Sequence, residues 1–411
     1  MRIRSPLWGI ARLASDSLYR NSIFMAATSL FNAGCGFFFW MIAARLYTVE
    51  QVGLATALIS SLGLIILFSR LGFDTSIIRF YPSEERGSVI GTSLAVTTAA
   101  CLLAGLGYAL AADLLAPQML FLREPGYALA FLLICAANSA ASVTASAFLA
   151  DRRADGYLLQ NLFMALRIPA LLPLAVLGVF GIFGSAGIGY AVASLFSLMM
   201  LKREGLRLRV DGGFIRRSFG FSAWSYLSSI LLTAPTLILP IMVLNMLGEA
   251  EAAKYYIAMA IGNLVLIIPS SLGTSLFVEA SHGQGLRRSV LRAGAASLAL
   301  LVPSVLLLLL VGDRLLGLLR VEYVQAFGLL QIIALSSFPA TAYSLFVPIQ
   351  NVRMKVESIA KLNALRCVLL LGLSSLLMQG YGIIGAGYAW LATYVVLGAT
   401  VAWVAWREGW V

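Results

Sequence analysis

The sequence predicts an all-α polytopic membrane protein: about twelve transmembrane helices in two parallel six-helix repeats around a central cavity. Three observations carry that prediction. Of 411 residues, 60% are apolar and 11% charged, with a mean hydropathy of +0.92; a soluble domain of this length lacks the polar surface to cover such a chain. Apolar runs recur along the whole sequence and are continuous, as from Leu174 to Phe180 or Val305 to Val311, rather than alternating as an outer-membrane barrel requires. The triplet Ala165-Leu166-Arg167 returns 199 residues later as Ala364-Leu365-Arg366, so each half keeps a cation at the same place inside an apolar stretch.

Residues 1–20 place Ile3, Leu7, Ile10, Leu13 and Leu18 near one helical face, interspersed with Arg2, Arg4, Arg12 and Arg20. That pattern predicts an interfacial amphipathic helix. No cleavage site follows a short apolar run there, so no cleaved signal peptide is expected. A spanning helix needs about 20 mostly apolar residues, and the N-terminal lobe, residues 21–201, offers six such runs: 21–46, 52–71, 89–112, 127–150, 157–180 and 184–201. A linker at 202–220 follows, the most basic stretch of the chain (Lys202, Arg203, Arg207, Arg209, Arg216, Arg217), with Gly212-Gly213 inside it. The C-terminal lobe, residues 221–411, offers six more: 221–247, 252–277, 290–311, 324–349, 358–378 and 383–403.

Charge sets the orientation. Of 29 Lys and Arg, five (Arg45, Arg123, Lys254, Arg314, Arg320) flank the odd-numbered loops, and Arg167 and Arg366 are buried in spans. The rest flank the even-numbered loops or the termini, so both termini are expected in the cytoplasm. The net charge of +11 is thereby explained by loops facing an anionic leaflet of membrane lipids; with no basic–aromatic module, no nucleic-acid partner is expected. Trp8, Trp40, Trp224, Trp403, Trp406 and Trp410 all fall near expected interfaces.

The repeat extends beyond one triplet. Gly187-Ile188-Gly189-Tyr190-Ala191 resembles Gly385-Ala386-Gly387-Tyr388-Ala389, Arg203-Glu204-Gly205 matches Arg407-Glu408-Gly409, and Glu50 and Gly72 fall opposite Glu251 and Gly273. Six spans per half make both halves enter the membrane in the same sense, a transporter architecture with its site at the repeat interface. Cys35, Cys101, Cys135 and Cys367 lie in apolar segments, and His282 stands alone in a basic loop. No disulfide, metal or cofactor is expected from them. No Gly-rich loop precedes a Lys-Ser/Thr pair, so no ATPase engine is encoded.

A charged side chain near the bilayer centre costs roughly 3 kcal/mol on insertion scales and is functional by default. Arg167 lies about 15 Å along its span from Tyr157, and Arg366 about 12 Å from Ser358, too deep to snorkel easily. No Asp or Glu falls inside any expected span, so the two arginines are read as holding an anionic substrate. The bland alternative is that they cap backbone carbonyls. Gln160, two turns before Arg167, and Asn363, three residues before Arg366, share their faces and join the substrate-binding set. Arg45 joins it too, with an interfacial anchor as its ordinary reading. Lys361 reads as an anchor, Arg70 with Asp74 as a local ion pair, and Lys254 as an outer cation or a solvated helix start. Eight prolines fall inside spans (Pro169, Pro173, Pro235, Pro240, Pro269, Pro303, Pro339, Pro348). Pro235 and Pro240 are the expected hinge. The glycines at 181, 184, 187 and 189 are read as a tight turn and close packing.

The stretch Ala44-Arg45-Leu46-Tyr47-Thr48-Val49-Glu50-Gln51-Val52-Gly53, with Leu71-Gly72-Phe73 and Arg79 behind it, resembles the polysaccharide-exporter (O-antigen and exopolysaccharide flippase) family. That family shares a superfamily with multidrug and lipid II exporters. Its pattern is small-Arg-x-Leu; here Leu46 follows Arg45 directly. The resemblance implies MATE-like lobes in a bacterial inner membrane. It also implies a flippase, not an enzyme, moving an undecaprenyl-pyrophosphate-linked oligosaccharide to the periplasmic leaflet by alternating access. Glycan polymerase and glycosyltransferases of the same pathway would be its partners. Two alternatives stay open: a multidrug or small-metabolite antiporter of the same superfamily, which would want a buried acid, and a membrane glycosyltransferase or polymerase, which would want a large external loop with clustered carboxylates.

Overall fold

The computed structural model describes residues 17–203, 205–281, 286–353 and 355–407. Most of the amphipathic helix expected over 1–20 lies outside them, as do His282, Trp8 and Trp410. The described chain is helical: α1 (Ser17–Leu46), α2 (Val49–Ser69), α3 (Phe73–Phe80), α4 (Arg86–Leu110), α5 (Pro125–Ala150), α6 (Ala154–Met164) and α7 (Val179–Arg203). After the linker come α8 (Gly212–Leu247), α9 (Glu249–Ser281), α10 (Leu286–Gly317), α11 (Phe327–Val352) and α12 (Val356–Arg407).

Among the described residues, ten helices are long and apolar enough to cross a membrane; of the twelve labelled, α3 and α6 fall short. The expected twelve spans differ from these ten at two places. α12 has 52 residues, about 78 Å if straight, more than twice a hydrocarbon core of about 30 Å. It turns at Gly382, where φ 57 and ψ −142 leave the helix in a conformation that only glycine adopts readily. The turn falls between the runs expected at 358–378 and 383–403.

The other difference is a correction. The run at 157–180 is not one continuous helix. α6 ends at Met164, a single helical turn occupies Arg167–Ala170, a short 3-10 segment follows at Ala175–Leu177, and α7 already starts at Val179. Pro169 and Pro173 explain this. Four residues apart, they delete the amide donors for two successive carbonyls on one helix face, those of Ala165 and Pro169. The backbone tightens instead into shorter bonds, such as Ile168 N–H to Ala165 O at 2.9 Å and Leu171 N–H to Ile168 O at 3.2 Å. By contrast α8 runs unbroken through Pro235 and Pro240.

Two compact units form. The first comprises residues 1–46 and 65–226, the second residues 47–64 and 227–411. In the first, Phe73, Ile77, Ile90, Phe148 and Phe214 are fully buried in one cluster, with the Phe73 and Phe214 rings edge to face at 6.0 Å. α4 and α5 meet through small and hydroxyl residues: the Thr97 and Ser139 hydroxyls lie 3.2 Å apart, and Gly105 faces the Cys135 sulfur. Small residues let spanning helices approach where lipid offers no hydrophobic drive. The linker is strapped onto α4. Arg209 N–H donates to Gly87 O at 3.2 Å, Asp211 N–H donates to Thr92 Oγ1 at 2.8 Å, and Arg217 pairs with Glu84 at 2.9 Å and Asp211 at 3.2 Å. In the second unit, residues 47–64 pack so closely on α9 that a Cβ at Gly53 would sit 1.8 Å from Glu249 O.

Candidate functional site

Arg167 opens the helical turn at the break after α6, because Pro169 ends the continuous helix there. Its guanidinium carbon lies 5.3 Å from the centre of the Phe39 ring on α1. α7 presses against the same break through Gly189, where a Cβ would stand 2.6 Å from Met164 O and 3.0 Å from the Arg167 Cβ. The side chain is half-buried, and its Nε is buried with no hydrogen-bond partner among the described residues.

Arg366 sits in unbroken helix on α12 and is 4% exposed. Its Nη1 donates to Leu232 O on α8 at 2.7 Å, three residues before Pro235. Proline there cannot donate to the Leu231 carbonyl, the one next to the carbonyl that Arg366 bonds. The guanidinium also lies 5.8 Å from the ring centres of both Trp390 and Tyr394, and its Nε has no partner among the described residues. Neither arginine pairs with an Asp or Glu among the described residues. Part of the bland reading therefore holds at Arg366, which caps a carbonyl, while both Nε–H groups keep donor capacity. A guanidinium keeps its charge when buried and presents a planar fork that fits phosphate or carboxylate.

The two polar companions are anchored to neighbouring helices. Gln160 Nε2 donates to Ala141 O at 2.7 Å and Thr144 Oγ1 at 3.0 Å, both on α5. Asn363 Oδ1 accepts from the Tyr343 hydroxyl on α11 at 2.6 Å, and its Nδ2 donates to Ser228 Oγ at 3.3 Å. The local pattern thus repeats in each unit: the arginine reaches the first long helix of its half, and the amide reaches the fourth. Gln160 and Arg167 are separated by the end of α6. Arg45 lies exposed in the last turn of α1. Lys254 is buried, with Nζ 2.6 Å from Glu251 and bonded to Gln325, and Lys361 forms an exposed pair with Glu357. Sequence reasoning missed the aromatic neighbours of each arginine, Phe39 at Arg167 in the first unit and Trp390 and Tyr394 at Arg366 in the second. One signal was present: Trp390 falls mid-span rather than at an interface, four residues from Tyr394 and hence on its face.

No protein-family model matches the sequence, and no curated protein matches it. Solved structures do resemble it. A multidrug resistance MATE family transporter of the MOP superfamily, in an inward-facing conformation, superposes with TM-score 0.75 at 15% identity, covering 96% of this chain and 98% of that one. The lipid II flippase MurJ, inward closed, gives TM-score 0.76 at 11% identity over 93% of this chain and 87% of that one. An outward-facing MATE family transporter gives 0.63 at 15% identity, with 96% of each chain covered. At these identities the likeness establishes the fold. It is a multi-pass membrane transporter fold, seen in members of the MOP superfamily, and the proteins that share it are transporters and a flippase rather than enzymes.

Proposed function

We propose that the chain is a flippase of the bacterial inner membrane, with both termini cytoplasmic. It would carry an undecaprenyl-pyrophosphate-linked oligosaccharide from the cytoplasmic to the periplasmic leaflet by alternating access, for surface polysaccharide synthesis. The observation that carries this reading is the pair of arginines with spare buried donors and no carboxylate partner among the described residues. An anionic pyrophosphate supplies what they lack. Binding must reverse at every cycle, and two separated cations suit reversible capture better than a closed phosphate cage. Pro235 and Pro240 serve as the flexing point of α8, and polymerase and glycosyltransferases of the same pathway are the natural partners.

The likeness to a multidrug transporter supports a second reading, export of a drug or small metabolite. A cationic drug would call for a buried acid, and the charged side chains buried among the described residues are Lys254 and Arg366. Deletion of the chain followed by leaflet-resolved analysis of lipid-linked saccharides separates the two. Accumulation on the cytoplasmic side, with glycosyltransferase activity intact, is the expected result; an unchanged leaflet distribution refutes the flippase reading.

A further inference from the structure

A groove of about 610 Å³ runs along the first unit between α4, α5 and the linker, within the range of about 300–1,000 Å³ typical of small-ligand sites. Ala95, Ala99 and Leu102 of α4 and Ala136 and Ala140 of α5 line it. From Gly91, beneath the linker, to Leu102 it follows α4 for about 17 Å. One leaflet of a hydrocarbon core of about 30 Å is about 15 Å deep, so the groove has the length of one acyl chain. The one hydroxyl among its lining residues, on Thr98, is donated to Ser139 Oγ at 3.2 Å, and the floor has no side-chain hydrogen bond left to offer. Leu103, Leu106 and Leu110 follow Ala99 at helical spacing and are 71%, 43% and 63% exposed, so this side of α4 faces lipid.

The charges lie at the linker end. Residues 206–210 form no helix, and in extended chain Leu206, Leu208 and Val210 fall on one side and Arg207 and Arg209 on the other. Leu208 and Val210 line the groove and are 46% and 66% exposed. Arg207 and Arg209 are exposed as well, but their backbone is fixed. A Cβ at Gly87 would overlap Arg207 O, one at Gly91 would overlap Arg209 O, and Arg209 N–H donates to Gly87 O at 3.2 Å. Arg86 pairs with Asp151, and Arg217 with Glu84 and Asp211. Arg207 and Arg209 have no carboxylate partner among the described residues. Two seated, unpaired cations therefore adjoin a hydrocarbon groove of acyl length.

We propose that this groove binds one anionic phospholipid, with an acyl chain between α4 and α5 and the headgroup phosphate against Arg207 and Arg209. A neutral lipid would fill the groove and leave the arginines without an anion; a soluble phosphate would do the reverse. An undecaprenyl chain overruns a groove of single-leaflet depth, so the occupant is a membrane phospholipid rather than a transported carrier. The bound lipid would cover Leu208 and Val210 and hold the linker to α4, whatever the chain transports.

The test uses the purified full-length protein in detergent micelles, titrated with phosphatidylglycerol or phosphatidylethanolamine and followed by native mass spectrometry. The wild type should retain one phosphatidylglycerol, bound about thirtyfold more tightly than phosphatidylethanolamine, a factor of about five for each arginine. Arg207→Ser/Arg209→Ser should lose that preference. Ala99→Phe, which puts a ring in the groove, should weaken both lipids about 5- to 150-fold and keep the preference. Both arginines are exposed, so their double variant keeps the test decisive if Ala99→Phe folds poorly. Equal affinity of the wild type for the two lipids, or failure of either folded variant to weaken phosphatidylglycerol binding, means ordinary annular lipid only and overturns the proposal. Displacement of phosphatidylglycerol by a single undecaprenyl pyrophosphate would overturn it too, by assigning the groove to the carrier.

Discussion

Gly91→Ala should peel the linker from α4. A Cβ at position 91 would stand 2.3 Å from Arg209 O and 2.6 Å from Arg209 N. Both are backbone atoms, so the linker must retreat by roughly 1 Å to restore ordinary contact. Two bonds then stretch beyond use, Arg209 N–H to Gly87 O at 3.2 Å and Asp211 N–H to Thr92 Oγ1 at 2.8 Å. At about 0.5–1.5 kcal/mol each, the strap loses about 1–3 kcal/mol. The Arg217 pairs to Glu84 and Asp211 are half-exposed and add too little to compensate. Local opening should rise about 5- to 150-fold, and proteolysis follows the open population when reclosing is fast. Trypsin digestion of the purified protein, with cleavage after Arg207 and Arg209 quantified by mass spectrometry, reads this directly. Gly107→Ala, on the same helix with nothing within 4 Å of its Cβ, controls for the change in helix propensity. Equal cleavage rates in the two variants would refute the strapped linker.

The break at Arg167 gives a second prediction. Replacing both Pro169 and Pro173 by Ala favours continuous helix by about 3 kcal/mol per site, so helicity by circular dichroism should rise and glycan export should fall. Export that survives this change but fails in Pro235→Ala/Pro240→Ala would move the hinge to α8. A third concerns Lys254, whose side chain is 10% exposed while that of Glu251 is 33% exposed. Lys254→Met should cost about 2 kcal/mol by stranding the carboxylate, and Lys254→Met/Glu251→Gln should recover part of that loss in thermal melts. Equal losses in the single and double variants would show the pair to be unimportant.

Much of the fold was legible because lipid forces a spanning helix to announce itself as a long apolar run. The turn at Gly382 is legible for the same reason, since no bilayer accommodates 52 helical residues in one pass. The break at Arg167 was not. Proline is common in transmembrane helices, and spacing alone does not say whether the freed carbonyls find other partners. Pro169 and Pro173 delete bonds on one face and the helix gives way, whereas α8 carries Pro235 and Pro240 intact, although they free the carbonyls of Leu231 and Thr236 and Arg366 bonds a different one, that of Leu232. The arginines were visible in the sequence as charges in apolar runs. Their aromatic neighbours were not, because Phe39 approaches Arg167 only through the packing of α1. Asn363 lies on the same helix as Arg366, whereas the expected common face of Gln160 and Arg167 is interrupted by the end of α6; both amides are committed elsewhere, to Ala141, Thr144, Tyr343 and Ser228, contacts between residues distant in sequence.

The central claim is that Arg167 and Arg366 capture an anionic lipid-linked glycan, and the most direct test is leaflet-resolved translocation of an undecaprenyl-pyrophosphate saccharide in proteoliposomes. The assay compares the wild type with Arg167→Lys, Arg366→Lys and the corresponding alanine variants at matched protein amounts. Arg→Lys should slow translocation by losing the two-pronged fork, and Arg→Ala should slow it further. Abundance should stay near normal for the Arg167 variants, whose half-buried guanidinium has no carboxylate partner among the described residues; Arg366→Ala also loses the bond to Leu232 O, so its translocation is read per folded protein. Translocation that persists at the wild-type rate in the double alanine variant, or that falls only in proportion to folded protein, would contradict the account.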